Sequence, residues 1–502
     1  MRALAPVVLV LALLLSACGG GAPSADGDGT VAVALQFPPR AGYAFDADDG
    51  GLLTKLGVAE PLVALDPQGN AVPGLATSWT QDGTSWRFTL RDGVTFHDGA
   101  RLDANAVVTA LTHVLGRPAP PRAITDIGLQ VAAEGPMTVR ATTTVPDPVL
   151  PLRLSSGATS ILSPAAYGTG QQPSPVNTAT GPLRMTEIRG SEGATLMRFD
   201  GYRGERARAA RVDVRYVIDP QTRELALRAG DVGFAEGLPE TSRAGLAADP
   251  SVTFSEFPSA RTILLQLNQS APPFADVRVR KAVTAALDRN VLANQVLGGS
   301  ALPASDLFGP AVPYGSTQAP PPADVPGAQA LLAQAGHGPQ NPLRVRLWTF
   351  PNRPELPVLA QAIASQLQAA GVATDITIGE YDAQEPEVLA GRYDMFLNSR
   401  SYLSDYPDAA STLTSDYTSG GSYAIDGYRS PAFDALVGQL GTVTDTAARA
   451  RIYRQAAGML VTDAVGVPIV HPRNTAAEKG VTGFVPDPLD LRPVLPVLAP
   501  AG

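Results

Sequence analysis

Trp86, Phe88 and Leu90 alternate with Arg87 and Thr89, the period of two that predicts a strand with one face buried. The turn Asp82-Gly83 precedes them and Asp92-Gly93 follows, so this stretch predicts hairpin units. Residues 30–36 are nearly continuous in apolar side chains and predict a buried strand. A polar and aromatic loop over 37–51 and a helix over 52–58 come next. Elsewhere the spacing becomes helical. Asp103 stands as an N-cap before Val107, Val108, Leu111, Val114 and Leu115. Leu356, Leu359, Ala360, Ile363 and Leu367 form one stripe over 355–370, with Gly371 at the C′ position. Ala448, Ile452, Ala456 and Leu460 do the same over 446–462. Residues 372–378, 393–397 and 465–470 predict strands, so helix and strand alternate as in an α/β protein. Stretches rich in Pro and Gly at 117–122, 309–327 and 484–499 predict connections and a wrapping tail.

The N-terminus is patterned differently. Arg2 is followed by an apolar run over 3–15 and by Leu15-Ser16-Ala17-Cys18, the parts of a secretory signal. The run is shorter than the roughly 20 apolar residues of a membrane span. Leu15 to Cys18 resembles a bacterial lipobox, which implies that Cys18 is lipidated and begins the mature protein. Residues 19–29 consist only of Gly, Ala, Pro, Ser and Asp, a flexible tether with no core-forming side chain.

Composition narrows the function classes. With 44% hydrophobic and 17% charged residues among 502, the body can bury the cores of two or three domains. A net charge of −9 argues against nucleic acid, whose phosphates need a basic face. Cys18 is the sole cysteine, so the body has no disulfide and no cysteine-based metal site. His97, His113, His337 and His471 are isolated from one another, and no metal or other cofactor is expected. The chain contains no Gly-x-Ser-x-Gly elbow, no His-Glu-x-x-His and no phosphate-binding glycine loop followed by Lys, so an enzyme is not the expectation.

The segment SWTQDGTSWRFTLRDGVTFHDGARLDANAVV, residues 78–108, resembles the signature of the family 5 solute-binding proteins, the peptide, nickel and opine receptors of bacterial ABC importers. Thr178-Ala179-Thr180-Gly181-Pro182-Leu183 is similar to the family's Gly-Thr-Gly-Pro-Tyr turn, with departures at Ala179 and Leu183. Asp219-Pro220-Gln221-Thr222-Arg223 with Gly230-Asp231, Val277-Arg278 through Asp288-Arg289, and residues 330–336 resemble three further family segments, all in family order.

The resemblance implies an α/β, two-lobed periplasmic-binding-protein-like fold of type II with an extra inserted subdomain. Residues 30–60, 178–262 and 472–502 would form lobe I, 61–177 the inserted subdomain, and 263–471 lobe II. Residues 262–268 and 466–471 would cross between the lobes, where a few residues can absorb a hinge rotation. The expected function is an extracytoplasmic lipoprotein that captures peptides and delivers them to a permease, working as a monomer held at the membrane by its lipid. The alternative within the family is a nickel or metal-chelate receptor, which the similarity of 306–314 to nickel receptors favours. That branch carries a histidine between about 415 and 430, which this chain lacks. A surface hydrolase or a structural lipoprotein are the readings outside the family.

Candidate ligand residues concentrate after the strand at 393–397. Arg400, Tyr402, Asp405 and Tyr406 lie there, and the resemblance implies that Asp405 holds a peptide's α-ammonium, a charge-assisted bond. Arg400 is a candidate for a ligand carboxylate, and Trp348 for the cleft wall. The resemblance also implies contacts from Tyr43, Phe45 and Asp48, and from Arg122, the nearest match to the nickel branch's cleft arginine.

Overall fold

The computed structural model describes residues 29–46, 49–168, 172–403 and 405–501. Cys18 and Asp48 lie outside the described residues. One 12-stranded sheet runs through the molecule. In its first half the strand Thr30–Leu35 pairs in parallel with Arg211–Tyr216 on one side and Phe234–Glu236 on the other. Neighbours on both edges and apolar contacts on both faces explain its near-continuous hydrophobic sequence. In the second half Leu343–Thr349 lies parallel to both Val372–Ile378 and Met395–Ser401.

The strand Gly466–Glu478 joins the two halves. Its 13 residues span about 40 Å at roughly 3.3 Å each. Residues 473–478 pair with Thr253–Pro258, whereas 466–470 pair with Arg261–Leu267. The partner changes over between 258 and 261 on one chain segment and between 470 and 473 on the other. At that changeover the Thr262 hydroxyl donates to the Leu307 carbonyl at 2.6 Å and lies 3.0 Å from His471 Nδ1. The sheet is thus two lobes joined by two strand segments.

A separate four-stranded antiparallel sheet is built from Ala76–Asp82, Ser85–Leu90, Thr138–Thr142 and Gln130–Ala133. Trp86, Phe88 and Leu90 are buried and Arg87 and Thr89 exposed, so the alternating face packs inward. The helix Ala104–Leu115 covers that face with Ala104, Val107, Ala110, Leu111 and Val114. Asp103 caps it, accepting from the Ala106 amide at 2.8 Å.

The signature residues hold loops in place. His97 Nε2 bonds the Gly181 carbonyl at 2.8 Å, and burial pushes the imidazole down to about 4, so it is neutral there. Gly181 approaches the Gly57 and Val58 carbonyls so closely that a Cβ would collide with both. Arg223, fully buried, donates to the carbonyls of Val217, Ile218, Glu236 and Gly237. Arg280 does the same for Phe274, Asp463 and Ala464. The tail returns to the first lobe, where the Val494 amide donates to the Lys55 carbonyl at 2.9 Å. No helix among the described residues is long and apolar enough to cross a membrane.

Candidate functional site

The carboxyl ends of parallel strands from both lobes open onto one cleft of about 710 Å³, the position where open α/β sheets take ligands. Gln36 and Phe37 follow Thr30–Leu35, and Glu236 ends its neighbour. Arg353 follows Leu343–Thr349 and Ser401 ends Met395–Ser401. Arg261 sits opposite Ser401 in register, so both side chains stand on the same face, and Arg400, one residue back, stands on the other.

Charge in the cleft is unevenly paired. Lys55 Nζ lies 2.9 Å from Glu236 and 3.2 Å from Asp490, and these carboxylates raise its pKa against the opposing effect of burial. Arg261 donates to the Ser399 carbonyl at 2.8 Å. Burial, with Arg353 beside it, pushes its guanidinium down to about 9. Arg353 stacks 4.9 Å from the Phe37 ring centre across the lobes and lies 3.9 Å from Glu355.

A second locus joins Arg122 and Arg153 to the second lobe. Arg400 makes a two-pronged pair with Asp416 at 2.8 and 2.9 Å. Arg122 and Arg400 both lie over the Tyr423 ring, at 4.9 and 5.2 Å, and the Tyr423 and Tyr381 hydroxyls are 2.8 Å apart. Tyr406 reaches from the second lobe into the hydrophobic core of the first, beneath Arg153 at 4.6 Å. Arg153 is held by Asp147 at 2.6 Å and Asp126 at 3.0 Å. Burial pushes the Asp405 carboxyl up, and Arg400 and Arg122 pull it the other way.

Three candidates therefore meet at this locus: Arg122, Arg400 and Asp405. Tyr406 lies beside them as an interlobe plug. Tyr402 is buried edge-on against Phe308 at 5.2 Å, Trp348 packs at the margin of the second lobe's core, and neither lines the cleft. Tyr43 and Phe45 are wholly buried. Asp49 draws their loop inward by accepting from the amides of Arg40, Ala41 and Tyr43, each at 2.9 Å. Tyr43 holds a φ of 67° there, a strained conformation for a non-glycine residue. The cleft instead takes Gln36 and Phe37 from the start of that loop. Arg261 and Arg353 escaped sequence reasoning, although a position just past a strand's carboxyl end is a signal that Arg353 does carry.

A family model described as bacterial extracellular solute-binding proteins, family 5 Middle, matches residues 70–424, well over half of the chain. The chain belongs to that family. This solute-binding protein is 26% identical over 443 residues to the glutathione-binding protein of Escherichia coli, covering 84% of its own length and 85% of the relative's. It is 26% identical over 460 residues to the nickel-binding periplasmic protein of Escherichia coli, covering 86% of each. Its fold matches that of DppA from Helicobacter pylori, solved in complex with the peptide STSA, with a TM-score of 0.80 at 21% identity over 94% of this chain and 98% of that one. The two-lobed α/β architecture is thus that of periplasmic binding proteins, and the family consists of solute receptors of ABC importers.

Proposed function

We propose that this solute-binding protein captures a peptide between its lobes and hands it to an ABC permease without chemical change. The observation that carries the reading is the convergence of strand ends from both lobes on one cleft, bordered by side chains that already bridge the lobes. A volume of about 710 Å³ lies within the roughly 300–1,000 Å³ usual for small-ligand sites and holds a short peptide. Residues 30–60, 178–262 and 472–502 move as one lobe carrying the inserted 61–177, and 263–471 as the other. The changeover at 258–261 and 470–473 is the hinge. The peptide-bound structural relative and the glutathione-binding relative support a peptide-like ligand.

Asp405, at the second locus beside the cleft, is the ammonium partner in this reading: among the described residues no hydrogen bond or ion pair engages its carboxylate, and the pull of Arg400 and Arg122 works against the upward push of burial. Arg353 is placed for the terminal carboxylate. Asp405→Asn then weakens binding of a free-amino tripeptide by about 1.5–3 kcal/mol, the value of a hydrogen bond to a charged group. Calorimetry on a peptide found to bind the wild type checks this; unchanged affinity removes the assignment. The nickel-binding relative supports a second reading, capture of a metal already chelated by a small molecule. Native mass spectrometry of the purified body separates the two, by the mass of a peptide or of a metal chelate released from the cleft.

The reading includes lipidation of Cys18, which keeps a receptor beside its permease. One acyl chain binds a membrane only marginally, so stable anchoring takes more than one. Cys18→Ser is expected to release the protein into the medium with ligand binding intact; retention of the variant on cells contradicts the anchor.

A further inference from the structure

Nearly every charged side chain lining the cleft has its partner within the protein. Lys55 takes Glu236 and Asp490. Arg473 pairs with Glu256. Asp487 accepts from the amides of Leu489, Leu491 and Arg492. Arg223 is spent on four carbonyls. Two guanidiniums remain. Arg353 has Glu355 at 3.9 Å, beyond hydrogen-bond reach, and the Phe37 ring on one face. Arg261 has a single carbonyl bond, to Ser399, and among the described residues no carboxylate within 4 Å.

Guanidinium groups stay charged and present five N–H donors each in a planar fork. Two of them facing one enclosed space repel each other, and Arg353 is the charge that weighs most against Arg261. Two acids act on both, Glu355 and Asp490, but Asp490 is already paired with Lys55, and among the described residues neither guanidinium has a carboxylate within hydrogen-bond reach. A ligand with one carboxylate meets Arg353; a second carboxylate is needed at Arg261, at the strand end beside the hinge. The wall around it is polar or small, with Ser401, Ser259 and Ala260, so a short acidic side chain has room.

We infer that Arg261 makes the cleft selective for acidic peptides, taking a side-chain carboxylate in addition to the terminal carboxylate assigned to Arg353. The inference rests on peptide capture in the same cleft and names the ligand class. Charge-assisted, two-pronged bonds of this kind are the strong ones, and breaking one leaves a buried cation unpaired.

The test compares Ala-Ala-Ala, Ala-Glu-Ala and Ala-Gln-Ala by calorimetry on the wild type, Arg261→Gln and Arg261→Lys. The wild type is expected to bind Ala-Glu-Ala at least tenfold more tightly than Ala-Gln-Ala. Arg261→Gln should bring that ratio to within about twofold, and Arg261→Lys should recover part of it. High salt should shrink the wild-type ratio less than for an exposed pair, because the site is enclosed. A wild-type ratio near one, with both peptides bound, overturns the acidic selectivity and leaves peptide capture standing. A ratio untouched by Arg261→Gln moves the preference to another residue and also overturns the inference. Failure of all three peptides to bind the wild type contradicts peptide capture itself, and the inference falls with it.

Discussion

Tyr406→Ala should open the lobes and weaken ligand binding about 100-fold. The Tyr406 ring comes from the second lobe and is buried among first-lobe core residues, with the Arg153 guanidinium over its face at 4.6 Å. Arg153 is itself fixed by Asp147, Asp126 and the Ala123 carbonyl, so the pocket for the ring is rigid. Truncating an aromatic in a packed site costs about 3–5 kcal/mol. A desolvated cation–π contact adds roughly 2 kcal/mol or more. Both join the two lobes, so the loss is expected to fall on the closed state. Relaxation of the vacated site and re-entry of water offset part of this sum, and a net loss of about 3 kcal/mol in the closed state corresponds to roughly 100-fold in affinity. Tyr406→Phe keeps the ring and should bind within a few-fold of the wild type. Calorimetry on both variants, with thermal melting to show that each lobe remains folded, checks this. Tyr406→Ala binding within twofold of the wild type would contradict the plug.

Asp408→Ala should destabilise the fold by about 3–5 kcal/mol, the cost of leaving one half of a buried ion pair unpaired. One Asp408 oxygen accepts from Arg449 Nε at 3.1 Å and Nη2 at 2.8 Å. The other accepts from the Tyr453 hydroxyl at 2.7 Å and the Ala410 amide at 2.8 Å. Asp408 and Arg449 are both buried. This network ties the loop bearing Asp405 and Tyr406 to the helix Thr446–Thr462. Its loss should therefore also loosen the interlobe contacts. Urea denaturation gives the measurement; a change below about 1 kcal/mol would mean that the loop is held by something else.

How far the sequence foretold this molecule differs between core and cleft. The helix at 446–462 is observed as Thr446–Thr462, because Asp445 caps it and its apolar stripe has a core to face. The strand expected at 465–470 is twice as long, Gly466–Glu478. Arg473, Asn474 and Thr475 end the hydrophobic run, and pairing with Thr253–Pro258 keeps them extended. The aromatic loop residues could not be sorted by sequence. Tyr43, Phe45 and Tyr402 have the same character as cleft aromatics, and burial separates them only after Asp49 has curled one loop and Phe308 has met the other. Arg261 was illegible for a different reason. Its significance is that no carboxylate reaches it, a property of the assembled cleft that no local pattern carries.

Capture by closure around the changeover at 258–261 and 470–473 is the central claim. Small-angle X-ray scattering on the purified body, with and without a saturating peptide shown by calorimetry to bind, tests it most directly. The account predicts a smaller radius of gyration in the liganded protein, and a weaker contraction for Tyr406→Ala at equal saturation. Superimposable curves for the free and peptide-saturated wild type would contradict it.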